Sequence, residues 1–325
     1  MARDELELNR QARPFGDPAP TDERPRRSLP VALVVAARPK QWVKNVLVFA
    51  APGAAGVLGQ RGELFDAVVA FFCFCLAAGG TYYLNDASDV TADRLHPKKR
   101  HRPIAAGEVP LGLARLLGPV MIAAALGLSF LAHWELAVAV ASYVAITTTY
   151  TLWWKHIAVV DIVAVAAGFV VRAIGGAAAT HVLISNWFFI VASFAALFMV
   201  VGKRYSESLT MGDGAGDVRS TLAAYSPSYL AYLRSVTTGV MLVAYCLWAF
   251  DKSDKATALH HYHGPWFQLS IVPFAMAILR YALLVDAGEG GAPEDLVFKD
   301  RPLLLFGLLW AVVFGIGILV TPVTH

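Results

Sequence analysis

The sequence is short of charged residues and of cysteines. Asp, Glu, Lys and Arg make up only 16% of its 325 residues, while 57% are hydrophobic; a typical water-soluble domain has about 25% charged residues. Cys73, Cys75 and Cys246 all lie in apolar segments, which argues against a disulfide framework and gives no indication of redox chemistry. The formal net charge of +3 is small for this length, and we expect no nucleic-acid partner.

Long apolar runs dominate the rest of the chain. Many have the length of a membrane span, about 20 residues, so we predict an all-α polytopic membrane protein. Residues 1–29 are polar, cannot bury enough apolar surface to fold alone, and are predicted to be a disordered cytoplasmic tail. Residues 30–325 are predicted to be a transmembrane domain, with a short surface helix near 29–37. Its nine helices are expected near 42–58, 64–84, 111–132, 135–153, 157–177, 186–202, 229–250, 266–285 and 302–320.

The lysines and arginines predict the orientation, because positive residues in short loops stay in the cytoplasm. With the N-terminus inside, the external loops contain only Arg61, Lys252 and Lys255. We therefore expect a multi-pass protein of the inner (plasma) membrane whose second and sixth helices end on the cytoplasmic side. The internal loops contain Arg94, Lys98, Lys99, Arg100, Arg102, Lys155, Lys203, Arg204, Arg219, Lys299 and Arg301.

An acidic motif follows the second predicted helix: Asn85, Asp86, Asp89 and Asp93. At about 100° per residue, these four lie within about 100° of one another on a helix. Carboxylates so close repel one another unless a cation lies among them, and oxygen ligands suit Mg²⁺ better than a soft metal. The motif therefore predicts a Mg²⁺-bound diphosphate at the membrane surface; the alternative is a solvated helix end.

A second polar cluster follows the sixth predicted helix, which runs in the same direction. Lys203, Arg204 and Glu207 have the same spacing as Asn85, Asp86 and Asp89, which indicates a degenerate internal repeat. Its cations could bind phosphate oxygens while its carboxylate reaches the metal or a hydroxyl; the alternative is a positive membrane anchor. In a ring of helices the two clusters would face each other across one cavity. The cluster consists of Lys203, Arg204, Tyr205, Ser206 and Glu207.

Asp213 and Asp217 offer another acidic pair close by in the chain. They have i, i+4 spacing, but the glycines around them favour a flexible loop. We therefore favour Glu207 over this pair. The histidines of residues 260–263 lie in a predicted external loop, away from the other candidates, and are not expected to bind zinc.

Four further charged residues are candidates. Asp161 and Arg172 lie in or near the fifth helix, where a charge at the bilayer centre costs about 2.5–3.5 kcal/mol. They share a face, but a rise of about 16 Å prevents direct pairing, so both should face the bundle interior; the alternative is a structural partner on a neighbouring helix. Lys44, together with Asn45, could line a cavity mouth. Pro103 limits the backbone freedom of Arg102, which could point at a phosphate. Interfacial anchoring is the alternative for Lys44 and the basic loop.

Four segments together resemble the UbiA-type intramembrane prenyltransferases, from about residue 30 to the C-terminus. The resemblance implies a nine-helix bundle around a cytoplasm-facing cavity and a Mg²⁺ requirement. The resemblance is most detailed for one branch of this family, which transfers a phosphoribosyl group from phosphoribosyl diphosphate (PRPP) to a polyprenyl phosphate, decaprenyl phosphate. That reaction supplies precursors of cell-wall arabinan (arabinogalactan). The segments are residues 38–45, 83–89, 99–107 and 202–207.

The resemblance also implies the roles of the candidates. Many family members have a second aspartate-rich motif where this chain has residues 203–207, and more cations with fewer carboxylates suit a site that holds several phosphates. Asp86, Asp89 and Asp93 are then catalytic and, with Asn85 and Glu207, hold the metal. The residues implied to bind substrate are Lys44, Asn85, Arg102, Asp161, Arg172, Lys203, Arg204, Tyr205 and Glu207.

Two alternatives stay open at this point. One is a UbiA-type enzyme that uses a prenyl diphosphate donor, and the other is an anionic-lipid transporter with Asp161 and Arg172 on its pathway. The oligomeric state is also open, because patterns of small residues such as residues 175–178 pack within one chain as readily as between copies in a homo-oligomer.

Overall fold

The computed structural model describes residues 27–210, 221–258, 264–290 and 293–320. Within these ranges the chain forms α-helices and short 3₁₀ helices, and no strand. Eight of these helices are long and apolar enough to cross a membrane, which confirms the all-α polytopic prediction. Residues 1–26, Asp213, Asp217 and residues 260–263 lie outside the described residues, so the predictions for them stay predictions.

The described residues form twelve α-helices. The eight membrane-spanning candidates are α3, α5 to α10 and α12; their large apolar side chains, such as Phe72, Leu308 and Val312, are exposed, as expected for lipid-facing positions. The helices are α1 (Leu29–Ala36), α2 (Ala50–Ala55), α3 (Arg61–Ser88), α4 (Val90–Leu95), α5 (Leu111–Ser129), α6 (Trp134–Leu152), α7 (Val160–Ala179), α8 (Asn186–Thr210), α9 (Pro227–Ala258), α10 (Trp266–Asp286), α11 (Pro293–Lys299) and α12 (Arg301–Val320).

The first predicted helix, residues 42–58, differs from the prediction. The chain here forms a 3₁₀ helix of 11 residues, Pro39–Phe49, then α2 and a 3₁₀ turn at Val57–Gly59. Pro52 has no N–H to donate to the carbonyl of Val48, and Gly56 ends α2 with φ 80°. We call residues 39–59 the leading segment. It is not one of the eight span-length helices, so the predicted number of nine is not confirmed.

The leading segment packs backbone against backbone on α7. A Cβ atom added at Gly176 would lie 1.7 Å from the carbonyl oxygen of Val48, far inside van der Waals contact. Only glycine permits this approach. The position of the leading segment therefore depends on the absence of a side chain at Gly176.

Gly176→Ala should destabilise the protein by about 1–3 kcal/mol or more, because the added methyl forces α7 and the leading segment apart. Thermal unfolding of the purified protein in detergent measures the effect. Gly168→Ala is a matched control on the same helix, since its added Cβ would meet the nearest atom, on Arg172, at 3.7 Å. Equal unfolding midpoints for the two variants would contradict this description of the packing.

The helices enclose a cavity of about 910 Å³. Its wall is formed by the leading segment, α3 and α6 to α12, and it has two unlike parts. Lys44, Lys203 and Arg204 provide its cationic lining. Aromatic rings dominate the rest of the lining from α9, α10 and α12: Tyr245, Trp248, Phe274, Trp310 and Phe314.

Candidate active site

Two buried aspartates of the acidic motif are paired with two arginines. The Arg102 guanidinium bridges Asp86 Oδ1 at 3.1 Å and Asp93 Oδ2 at 2.8 Å. Arg38 donates to Asp86 Oδ1 as well. The Asp86 and Asp93 side chains are each only 3% exposed, whereas the Arg38 and Arg102 side chains are 29% and 30% exposed. We call these four residues the acidic cluster.

The motif is not carried by one continuous helix. Helix α3 ends at Ser88, Asp89 has φ −90° and ψ 5°, and α4 begins at Val90. Asp86 and Asp93 therefore turn toward Arg102, while Asp89 is exposed. Asn85 is half-buried at the end of α3. The sequence correctly grouped the first and last aspartates, but the break at Asp89 separates its side chain from theirs.

The acidic cluster has the donor chemistry of a magnesium site. Across the described ranges, no three His, Cys, Asp or Glu side chains lie together as a metal-ligand group. However, Asp86 and Asp93 are buried, offer only oxygen atoms and already share one cationic partner. A divalent cation fits such a pair of carboxylates. These two residues would hold Mg²⁺, with Asn85 and Asp89 the nearest further donors in the chain.

The second polar cluster repeats this arrangement of one arginine between two carboxylates. Arg204 contacts Asp161 Oδ2 at 3.3 Å and Glu207 Oε2 at 3.0 Å. Arg204 and Asp161 are only 4% and 2% exposed. Asp161 lies at the start of α7, and Arg204 and Glu207 lie near the end of α8, so the Arg204–Asp161 pair joins these two helices.

Tyr225 fixes the orientation of Asp161. Its hydroxyl donates to Asp161 Oδ1 and accepts from the backbone N–H of Val159. Burial, followed by the hydrogen bond to Asp161, raises the pKa of Tyr225, so the phenol keeps the proton that it donates. Val159 has φ 68°, an uncommon conformation for a β-branched residue. The start of α7 is thus held in one geometry.

The cavity is lined by residues of the second polar cluster and by none of the four residues of the acidic cluster. Lys203 and Arg204 line it directly, and Lys44 lines it from the leading segment, where its ammonium donates to Gln41 at 2.6 Å. Tyr82 also lines the cavity and precedes Asp86 by one helical turn, a rise of about 6 Å. The centre of the Tyr82 ring lies 4.6 Å from the Arg38 guanidinium, so Tyr82 connects the cavity to the acidic cluster. That the two clusters face each other across one cavity stays a prediction.

Tyr205 and Arg172 are placed away from the cavity lining. Tyr205 donates to Asp286 at 3.4 Å, and Arg234 stacks on its ring at 4.6 Å. Arg172 is 6% exposed and donates to three oxygens behind the cavity wall. These are Asn45 Oδ1 at 2.7 Å, Gly168 O at 2.7 Å and Tyr143 OH at 3.0 Å.

Sequence reasoning did not select several residues of the site. Arg38 contacts Asp86, Tyr225 contacts Asp161, and Tyr143 contacts Arg172. The sequence did contain one sign of a special role for Arg38: it precedes Pro39 between two apolar segments, and a following proline restricts the backbone of the residue before it. The other contacts join residues far apart in the chain and leave no local pattern.

A comparison with protein families matches the model of the UbiA prenyltransferase family to residues 46–308. The chain therefore belongs to the UbiA prenyltransferase family. Its fold agrees with this: a solved UbiA homologue from Archaeoglobus fulgidus, bound to DMAPP and Mg²⁺, has a TM-score of 0.67 at 16% identity, over 90% of this chain and 100% of that one.

Curated relatives with higher sequence identity are named for one particular enzyme. The decaprenyl-phosphate phosphoribosyltransferase of Corynebacterium glutamicum is 43% identical over 303 residues, which cover 92% of this chain and 90% of the relative. The protein of the same name from Mycobacterium tuberculosis is 41% identical over 298 residues, which cover 90% of this chain and 96% of the relative.

Proposed function

We propose that the protein transfers a 5-phosphoribosyl group from PRPP to decaprenyl phosphate and releases diphosphate, in a step of cell-wall arabinan synthesis. Relatives named for this reaction, at 41–43% identity over about nine tenths of the chain, support the assignment. The observation that carries it is the cationic lining of the cavity, which Tyr82 connects to Arg38 of the acidic cluster. Such a site suits a donor and an acceptor that both bear phosphate.

The acidic cluster is proposed to hold Mg²⁺ on the donor diphosphate through Asp86 and Asp93, assisted by Asn85, Asp89 and Glu207. The bound ion would neutralise the negative charge that develops as diphosphate leaves. Lys44, Lys203 and Arg204 lie on the cavity wall, where they can bind the phosphates of donor and acceptor. Arg102 is within reach of the diphosphate because its guanidinium already lies on Asp86 and Asp93.

The transfer then depends on how the donor and the acceptor are positioned and less on proton transfer by the protein. The bond between ribose C1 and the diphosphate oxygen breaks, and its electron pair leaves with diphosphate. A phosphate oxygen of the acceptor bonds to C1 from the opposite face, which inverts the anomeric carbon. Because a phosphate monoester has its second pKa near about 6, this oxygen is ionised at neutral pH, and no strong general base is needed.

The aromatic part of the cavity suits the acceptor's tail. Tyr245, Trp248, Phe274, Trp310 and Phe314 provide an apolar surface continuous with the cationic lining. A polyprenyl phosphate has the same division between an anionic head and an apolar chain. We propose that the head lies near Lys44 and Lys203 and that the chain extends over the rings toward lipid.

The orientation in the membrane is part of the proposal. Positive residues concentrate in the loops at the face where α3 and α8 end, and cytoplasmic loops carry such an excess. We place this face, the N-terminus and the cavity mouth in the cytoplasm of a cell whose inner (plasma) membrane holds the protein. PRPP would then enter from the cytoplasm and the lipid acceptor from the membrane.

A comparison of labelled donors tests the reaction against its rivals. The purified protein, with Mg²⁺ in detergent, should transfer label from PRPP to decaprenyl phosphate and none from a prenyl diphosphate to an aromatic acceptor. The opposite result would assign the protein to prenyl transfer. Failure of both reactions, with movement of anionic lipid in sealed vesicles, would favour a transporter.

A further inference from the structure

Arg38 contacts Asp86 from an uncommon backbone conformation. Its φ of 54° and ψ of 61° lie in the left-handed region, which residues with long side chains seldom adopt. The guanidinium lies 4.6 Å from the centre of the Tyr82 ring and contacts Asp86. Strained residues of this kind are typical of functional sites. The strain here places a second arginine on the same carboxylate as Arg102.

The two arginines cover the two aspartates. Asp86 and Asp93 are almost completely buried, whereas nearly a third of each arginine side chain is exposed. A cation that binds the oxygens which these guanidiniums contact, Asp86 Oδ1 and Asp93 Oδ2, must therefore displace a guanidinium. A guanidinium that leaves a carboxylate needs a new anionic partner, and phosphate oxygens match its forked donors as well as carboxylate oxygens do.

We propose that Arg38 and Arg102 exchange partners when the donor binds. Their guanidiniums move from Asp86 and Asp93 to the oxygens of the donor's diphosphate, and the released carboxylates bind the divalent cation. This exchange rests on the proposed function, because it assumes a diphosphate donor. The exchange assigns Arg38 a direct role in donor binding. It also means that the two arginines couple the binding of the metal to the binding of the donor.

The exchange makes metal and diphosphate binding cooperative. A metal ion that binds alone must leave two guanidiniums without partners, and a diphosphate that binds alone must leave two buried carboxylates without partners. When both bind, every charge has a partner. Coupling of this kind is reciprocal, so each ligand raises the affinity for the other by the same factor.

Removal of one guanidinium should change the two affinities in opposite directions. Arg102→Gln should tighten Mn²⁺ binding in the absence of diphosphate by roughly 5- to 150-fold, the usual range of a coupling between two sites. The same variant should weaken the binding of inorganic diphosphate. Arg38→Gln should act in the same directions. Damage to the fold would instead weaken the binding of both ligands.

Two titrations of the full-length protein in detergent measure these effects. Electron paramagnetic resonance gives the Mn²⁺ affinity without diphosphate, and equilibrium dialysis with labelled inorganic diphosphate gives the anion affinity without metal. Arg100→Gln is the matched control, because Arg100 is an exposed arginine of the same loop whose guanidinium contacts His101. It reports the effect of removing one positive charge from the neighbourhood.

The proposal is overturned if Arg102→Gln and Arg38→Gln bind Mn²⁺ no more tightly than Arg100→Gln does. In that case the arginines are fixed counter-ions, and a metal does not compete with them. Neither titration uses PRPP or a lipid, so they are independent of the proposed reaction. A protein that transfers phosphoribosyl groups but fails this test keeps its function and loses the exchange, whereas a protein that passes it but transfers nothing contradicts the function alone.

Discussion

Asp86→Asn should reduce phosphoribosyl transfer on the order of a thousandfold or more, the scale of losing a group that stabilises transition-state charge. Asp86 is the aspartate on which both Arg38 and Arg102 converge. Asparagine keeps the shape of the side chain but removes the negative charge that would hold the metal against the leaving diphosphate. Initial rates with saturating PRPP, decaprenyl phosphate and Mg²⁺ measure the effect.

Asp66→Asn is the matched control for this prediction. Asp66 lies on the same helix, α3, at its opposite end, so the change removes an identical group far from the cluster. It should leave the rate unchanged. A wild-type rate for Asp86→Asn in protein that elutes normally from size exclusion would remove Asp86 from the metal site.

Arg204→Gln should lower both stability and donor affinity. It leaves Asp161, which is 2% exposed, without its cationic partner, and breaking a buried ion pair in this way costs about 3–5 kcal/mol. It also removes a cation from the cavity wall, so the dissociation constant of PRPP should rise. Thermal unfolding and direct titration of PRPP measure the two effects separately.

A double variant separates structure from binding at Arg204. Asp161→Asn combined with Arg204→Gln leaves neither buried charge without a partner, and should recover most of the lost stability. PRPP affinity should stay low, because the cation that binds phosphate is still missing. Recovery of PRPP affinity together with stability would mean that Arg204 only holds α7 and α8 together.

The membrane architecture and the acidic motif could be predicted from local sequence. Apolar runs of span length predict the positions of α3 and the later membrane-spanning helices. Aspartates spaced by about one turn at the end of α3 indicate a cation site. The repeat of that spacing at Lys203, Arg204 and Glu207 pointed to a second polar cluster, and two of its residues, Lys203 and Arg204, line the cavity. These features depend on residues that are close together in the sequence.

The partners of the charged residues could not be predicted in the same way. Arg38 and Asp86 are 48 positions apart, and Arg172 and Asn45 are 127 apart; their pairing depends on how the helices pack. Asp161 and Arg172 do face the bundle interior, but only the packing shows that Arg172 binds Asn45 behind the cavity wall.

The leading segment shows a second limit of the sequence. Its apolar residues match a membrane helix, yet Pro52 and Gly56 divide it, and the backbone of Val48 packs on Gly176. The proline could be seen in the sequence, but a single proline is also compatible with a continuous helix, as Pro119 within α5 shows. The decisive contact is with a distant helix.

Diphosphate release in detergent, without sealed vesicles, tests the central claim most directly. The purified protein should release one diphosphate per lipid product only when PRPP, decaprenyl phosphate and Mg²⁺ are all present, and mass spectrometry should find the phosphoribosyl group on the lipid phosphate. Absence of diphosphate release under these conditions, or a product that carries a transferred prenyl chain, would contradict the account.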